Sequence, residues 1–174
     1  MGTRGLGILG LIAGGGALWW LLQRDGLPIG APLDLGGPIG GDPGGPIAPA
    51  NTVEAFLQGV GLTPDQARGV AAGIWAESRM DPNAVNPTSG AFGIGQWLGS
   101  RKAELFRRYG SRPTLGQQLE FLAWELAGGD HGGKHVLAQT TAAGTLDAYI
   151  RRFMRPAAGA ETAGDLERGA RYLG

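Results

Sequence analysis

The distribution of glycine constrains this chain more than any other feature. Of 174 residues, 34 are Gly and 11 are Pro, and 15 of those Gly and six of those Pro fall within the first 50 positions. Gly costs a helix or strand its backbone entropy, and Pro removes a donor and clashes with the preceding turn. The first 50 residues therefore do not read as part of a packed core, and the chain divides into an N-terminal non-globular third and a globular remainder.

That first third holds two unlike pieces. Gly5 to Leu22 runs for 18 residues without a charge, enough to cross a hydrocarbon core of roughly 30 Å at about 1.5 Å per residue. Arg4 and Arg24 bracket it, and Trp19 and Trp20 sit near its end, where indole rings favour the headgroup layer. Gly10 and Gly14 form a GxxxG pair that suits helix association in lipid. The expectation is an uncleaved transmembrane anchor over residues 1–24, in contact with lipid through residues 5–22. The charge balance places the rest of the chain on the periplasmic side of an inner membrane. Residues 25–50 contain 14 Gly or Pro and repeat Gly-Gly-Pro-Ile at 36 and 44. They read as a tether spanning between about 28 Å as a coil and roughly 80 Å when extended.

From Asn51 to Gly174 the composition becomes globular. Thr63-Pro64-Asp65-Gln66 is a capping box with Pro in the first turn, and Ala67, Val70, Ala71, Ile74 and Trp75 follow at helical spacing. Thr114-Leu115-Gly116-Gln117 opens a second helix, striped by Leu115, Leu119, Leu122 and Leu126 and ended by Gly128-Gly129. Leu146, Tyr149, Ile150 and Phe153 form a third stripe before Pro156, and residues 102–109 and 166–173 also read as helical. No alternating run is long enough for a sheet. The predicted fold is mainly α, a helical domain of a size that buries a core alone.

Charge and composition exclude several functions. Fifteen Lys and Arg balance 15 Asp and Glu, so the cationic field that binds nucleic acid is missing. With no Cys, disulfides, thiolate zinc sites and Cys nucleophiles are excluded. His131 and His135 have a metal-like spacing, but the Gly-Gly between them argues against a helix and no third ligand is evident, so neither metal nor cofactor is assigned. Arg101, Lys102, Arg107, Arg108 and Arg112 read as a solvated helix face.

The chemistry concentrates in Gly73 to Arg101. Glu77 shares a helix face with Val70 and Ile74 and lies in the last turn. Partial burial and the helix dipole both disfavour an ionised carboxylate there, which is what a general acid requires. A helical Glu paired with Arg79 or Arg101 would look the same. After Asp81-Pro82 breaks the helix, Ser89 to Trp97 alternates small residues with Phe92, Ile94 and Trp97. Gly90, Gly93 and Gly95 let backbone amides approach a ligand, Gln96 adds two donors and an acceptor, and an aromatic plane suits a sugar ring.

The pattern Glu77-Ser78, Pro82, Ala84, Asn86-Pro87, Ser89-Gly90-Ala91, Gly93-Ile94 and Gln96-Trp97 resembles the phage tail lysozyme family, within the lysozyme and lytic transglycosylase superfamily. The likeness is strongest over residues 56–101 and weaker through 118–126 and 153–156. It implies a lysozyme-like helical domain with a small β-hairpin lining a saccharide cleft. It implies cleavage of the β-1,4 bond between N-acetylmuramic acid and N-acetylglucosamine in bacterial peptidoglycan, for wall penetration or lysis. Glu77 would be the catalytic acid, and Ser89, Ala91, Phe92, Gly93, Gln96 and Trp97 would bind substrate. A two-carboxylate lysozyme needs a second acid roughly 5–9.5 Å away; Asp81, Glu104 and Glu125 are the candidates. A lytic transglycosylase needs none, because the substrate supplies the second group. Virion proteins are implied partners, and the implied location is a virion or the host inner membrane. The alternative is a non-catalytic virion or wall-binding protein on the same fold.

Overall fold

The computed structural model describes residues 50–155 and 160–174. The expected anchor over 1–24, the expected tether over 25–50 apart from Ala50, and Pro156 lie outside the described residues. Among the described residues no helix is long and apolar enough to cross a membrane.

The described chain forms α1 (Ala50–Gly59), α2 (Pro64–Ser78), α3 (Gly99–Tyr109), α4 (Leu115–Trp124), α5 (Gly133–Leu137), α6 (Ala142–Ala148) and α7 (Ala160–Leu173). Both capping boxes form. Thr63 Oγ1 accepts the Gln66 N–H while Gln66 Oε1 accepts the Thr63 N–H, and Thr114 and Gln117 repeat the exchange. The Gln66 amide also donates to the Leu137 and Gln139 carbonyls at 2.9 and 3.0 Å, so the residue that starts α2 also seats the end of α5.

Helix α2 is the centre of the fold, with α1, α6 and α7 packed around it. Ala67, Val70, Ala71, Ala72 and Ile74 are all fully buried. A buried aliphatic side chain contributes about 1.5–3 kcal/mol if large, and small ones let the helices approach. At Gly73 a Cβ would lie 2.2 Å from Cδ1 of Tyr149, so α2 and the chain following α6 touch only because that position is glycine. Tyr172 Oη donates to Glu54 at 2.7 Å, and Arg68 donates to the Leu173 carbonyl at 2.7 Å, fastening α7 to α1 and α2.

Two expectations change in detail. The Gly132-Gly133 pair does not bar a helix: α5 starts at Gly133, where a Cβ would come within 2.4 Å of the Leu126 carbonyl oxygen, so the glycine serves close packing against that backbone. The hairpin shrinks to the isolated pairs Val85–Phe92 and Phe92–Trp97, with no longer strand among the described residues. Phe92 and Trp97 exchange both backbone hydrogen bonds, at 3.1 and 2.9 Å, around the turn Gly93–Gln96. The prolines and glycines on either side leave no second ladder pair to extend it.

Helices α4 and α6 do not stop where their α-bonding stops. Glu125–Gly129 and Tyr149–Met154 continue as wider π turns, closed by Asp130 N–H to Glu125 O at 3.0 Å and Arg155 N–H to Ile150 O at 3.2 Å. Gly128, at φ 131°, ends the first; Arg155, left-handed at φ 53°, ends the second before Pro156.

Candidate active site

Glu77 occupies the final turn of α2, half-buried, next to fully packed Ala76 and Ser78. Two consecutive left-handed residues, Arg79 at φ 56° and Met80 at φ 63°, then reverse the chain. Non-glycine residues adopt this region rarely, and such strain collects at functional positions. Met80 offsets part of that cost by burying its side chain completely.

The reversal brings the glycine-rich loop back onto the helix end. Ser78 Oγ lies 3.1 Å from both its own-turn acceptor, the Ile74 carbonyl, and the Ile94 carbonyl. The N–H of the same Ile94 donates to Gln118 Oε1 at 2.9 Å. The Gln118 amide nitrogen donates to the Pro82 and Pro113 carbonyls, each at 2.8 Å. One buried glutamine on α4 thus holds the beginning of the loop, its middle and the α3–α4 connection. At Gly93, φ is 72° and a Cβ would stand 2.3 Å from Gln118 Oε1, so both conformation and space require glycine. Lys102 donates to the Gly90 carbonyl at 2.8 Å and holds the outer limb.

The loop residues sort by exposure. Ser89 is exposed and its hydroxyl accepts the Ala91 N–H at 3.2 Å. Phe92 is half-buried with its ring edge-on to Phe106 at 5.2 Å. Gln96 is half-buried, left-handed at φ 43°, and donates to the Gly93 carbonyl at 2.9 Å. Ala91 and Gly93 are buried. Trp97 is fully buried against Phe121, so it presents no open face to a sugar.

The three further carboxylates differ in how they are held. Asp81 accepts the Asn83 N–H at 2.8 Å in the turn after Met80. Glu104 is gripped by Arg107 and Arg108 at 2.7 Å, whose hydrogen bonds pull its carboxyl down to about 2. Glu125 is buried and accepts from Trp97 Nε1 at 2.8 Å and from Arg101 Nε at 2.6 Å. Arg101 and Lys102 fasten distant segments, Arg107 pairs with Glu104 on the solvated face of its own helix, and Arg108 also covers the Trp124 ring at 3.7 Å.

Tyr149, a core residue of the third apolar stripe, is also a neighbour of these groups. Its ring is fully buried and its hydroxyl has no hydrogen-bond partner among the described residues. Burial pushes that hydroxyl's pKa up, the Glu77 carboxylate pushes it further, Arg101 pulls it back and Glu125 adds a smaller rise. These four side chains are therefore electrostatically coupled. Its Gly73 contact was the available signal, since a glycine inside an apolar helical stripe marks a close approach.

A match to a family model, and not the geometry alone, defines the class: a lysozyme-like protein that acts on peptidoglycan. The family model described as phage tail lysozyme matches residues 49–171, and the chain belongs to that family. No curated protein and no solved structure matches it.

Proposed function

We propose that the chain is a muramidase that cuts the β-1,4 bond between N-acetylmuramic acid and N-acetylglucosamine, with Glu77 as general acid. The observation that carries this reading is the clamp: Ser78, adjacent to Glu77, lies 3.1 Å from the Ile94 carbonyl of the loop. A sugar lying along the loop then has its glycosidic oxygen beside the last turn of α2. Glu77 protonates that oxygen as the bond to C1 breaks, and charge builds on the ring. Ser89, Phe92 and Gln96, with the backbone of residues 90–95, contact the glycan; Trp97 supports them from beneath.

The second step has two forms. In hydrolysis a water adds to C1 with Asp81 assisting, since Arg side chains occupy Glu104 and Glu125. In transglycosylation the substrate's own 6-hydroxyl attacks C1 and its proton passes to the Glu77 carboxylate. Residues 1–24 anchor the enzyme, residues 25–50 let the domain sweep the wall, and a phage particle or the host inner membrane carries it. Mass spectrometry of glycan products from the full chain tests the reading. Reducing ends carrying water mean hydrolysis, ends lighter by one water mean transglycosylation, and intact glycan strands refute both.

A further inference from the structure

Glu125 is 1% exposed, yet its carboxylate takes three charge-assisted or indole hydrogen bonds. Trp97 Nε1 donates to Oε2 at 2.8 Å, Arg101 Nε to Oε1 at 2.6 Å and Arg101 Nη2 to Oε2 at 2.8 Å. Arg101 Nη1 reaches the Phe153 carbonyl at 3.3 Å, and the guanidinium covers the Phe153 ring at 4.6 Å. Against its burial, which alone would lower it, the Glu125 hydrogen bond and charge hold the Arg101 pKa above its ordinary value. Four segments meet on these two side chains: the end of the loop, the first turn of α3, the end of α4 and the chain after α6.

A buried ion pair is a poor source of stability, because desolvation offsets the attraction and an apolar pair of equal volume holds a core as well. What it supplies is direction. A carboxylate accepts along its lone pairs and a guanidinium donates in its plane, so the bidentate pair fixes orientation as well as distance. Glu125 opens one π turn and Phe153 lies in the other; such turns are frequent at functional sites.

We propose that Glu125 and Arg101 are positioning residues for the glycan-binding loop, acting through the Trp97 indole. The proposal rests on the reading of that loop as the glycan-binding element. Trp97 and Phe92 exchange backbone hydrogen bonds across the turn Gly93–Gln96, so an indole fixed at Glu125 fixes the turn that carries Gln96. Glu125 then does not act on the substrate, and the second chemical group lies elsewhere.

Two readouts on the full chain test this. One is the Trp97 indole N–H resonance, assigned by its loss in Trp97→Phe. The other is the Kd of a peptide-free strand of alternating N-acetylglucosamine and N-acetylmuramic acid, measured in a Glu77→Gln background so that turnover does not interfere. Glu125→Gln keeps an acceptor for the indole but sets an NH₂ group against the guanidinium. It should move the indole resonance and raise Kd about ten-fold, the equivalent of one charged hydrogen bond. Arg101→Lys keeps the charge but loses the fork, and should raise Kd about three-fold; if Glu125→Gln does not fold, this variant decides. In the otherwise wild-type chain, KM should rise more than kcat falls. An unmoved indole resonance, an unchanged Kd in a folded variant, or a fall in kcat alone overturns the proposal. If the Glu77→Gln chain binds no glycan at all, the glycan reading fails, and the indole resonance still decides whether the pair positions Trp97.

Discussion

Replacing Gln118 with Met removes the amide that staples the loop while keeping most of the side-chain volume. Three backbone partners lose their bonds: the Ile94 N–H and the Pro82 and Pro113 carbonyls. Ile94 and Pro113 are buried, whereas Pro82 is half-buried, so water replaces the amide at Pro82 but does not reach the other two. A buried group left without a partner costs about 1–3 kcal/mol. Two such groups, less what the more apolar Met side chain returns, give an expected loss of about 3 kcal/mol. For a domain of this size that lowers Tm by roughly 10 °C. Urea titration followed by circular dichroism measures the loss, with an unchanged slope showing that the same surface unfolds. The loop also loses its register against α2, so glycan affinity should fall in the variant at temperatures where it stays folded. A loss below about 1 kcal/mol would refute the reasoning, because it would mean that the three bonds contribute no more than an exposed polar contact.

Gly73→Ala should destabilise by about 1–2 kcal/mol: the new Cβ meets the Tyr149 ring at 2.2 Å, and overpacking outweighs the helix propensity gained; denaturant midpoints and the near-ultraviolet signal of the buried aromatics check it. Asp130 gives a pH test. Hydrogen bonds from Arg155 at 2.8 Å lower its carboxyl to about 2, against some opposition from burial. A depressed carboxylate stabilises the fold above its ordinary pKa near 3.8 and loses that contribution as pH falls through about 2. Arg155→Gln should therefore cost about 1 kcal/mol near neutrality, with the difference from wild type closing between pH 4 and pH 2 in denaturation curves.

Elements set by local chemistry were legible before any coordinates. A Thr followed three residues later by Gln satisfies orphan amides within a single turn, so both capping boxes, at Thr63 and Thr114, announce α2 and α4. The leucine and aromatic stripes follow from the same helical period. What stayed hidden depends on partners distant in the chain. Gln118 reads as one polar residue in a leucine stripe, and its role depends on meeting Ile94 and Pro82 from another segment. Trp97 reads as a sugar platform from its neighbours Gly95 and Gln96, but packing against Phe121 and Glu125 turns it inward. Glu125 reads as a spare carboxylate until Arg101, 24 residues away, closes on it. The π turns left no trace in the pattern, because an extra residue per turn is a response to packing and not to local propensity.

The central claim is that Glu77 supplies the proton for glycan cleavage. Glu77→Gln keeps the shape and most of the hydrogen bonding of that side chain but removes its transferable proton. General acid catalysis contributes about 10²–10⁴-fold. Release of soluble glycan fragments from purified peptidoglycan by the full chain should therefore fall at least about a hundred-fold, with helical content and wall binding unchanged. Retention of more than about a tenth of the wild-type rate by a folded Glu77→Gln chain would contradict the assignment, because it falls well short of the roughly hundred-fold or greater contribution typical of a general acid.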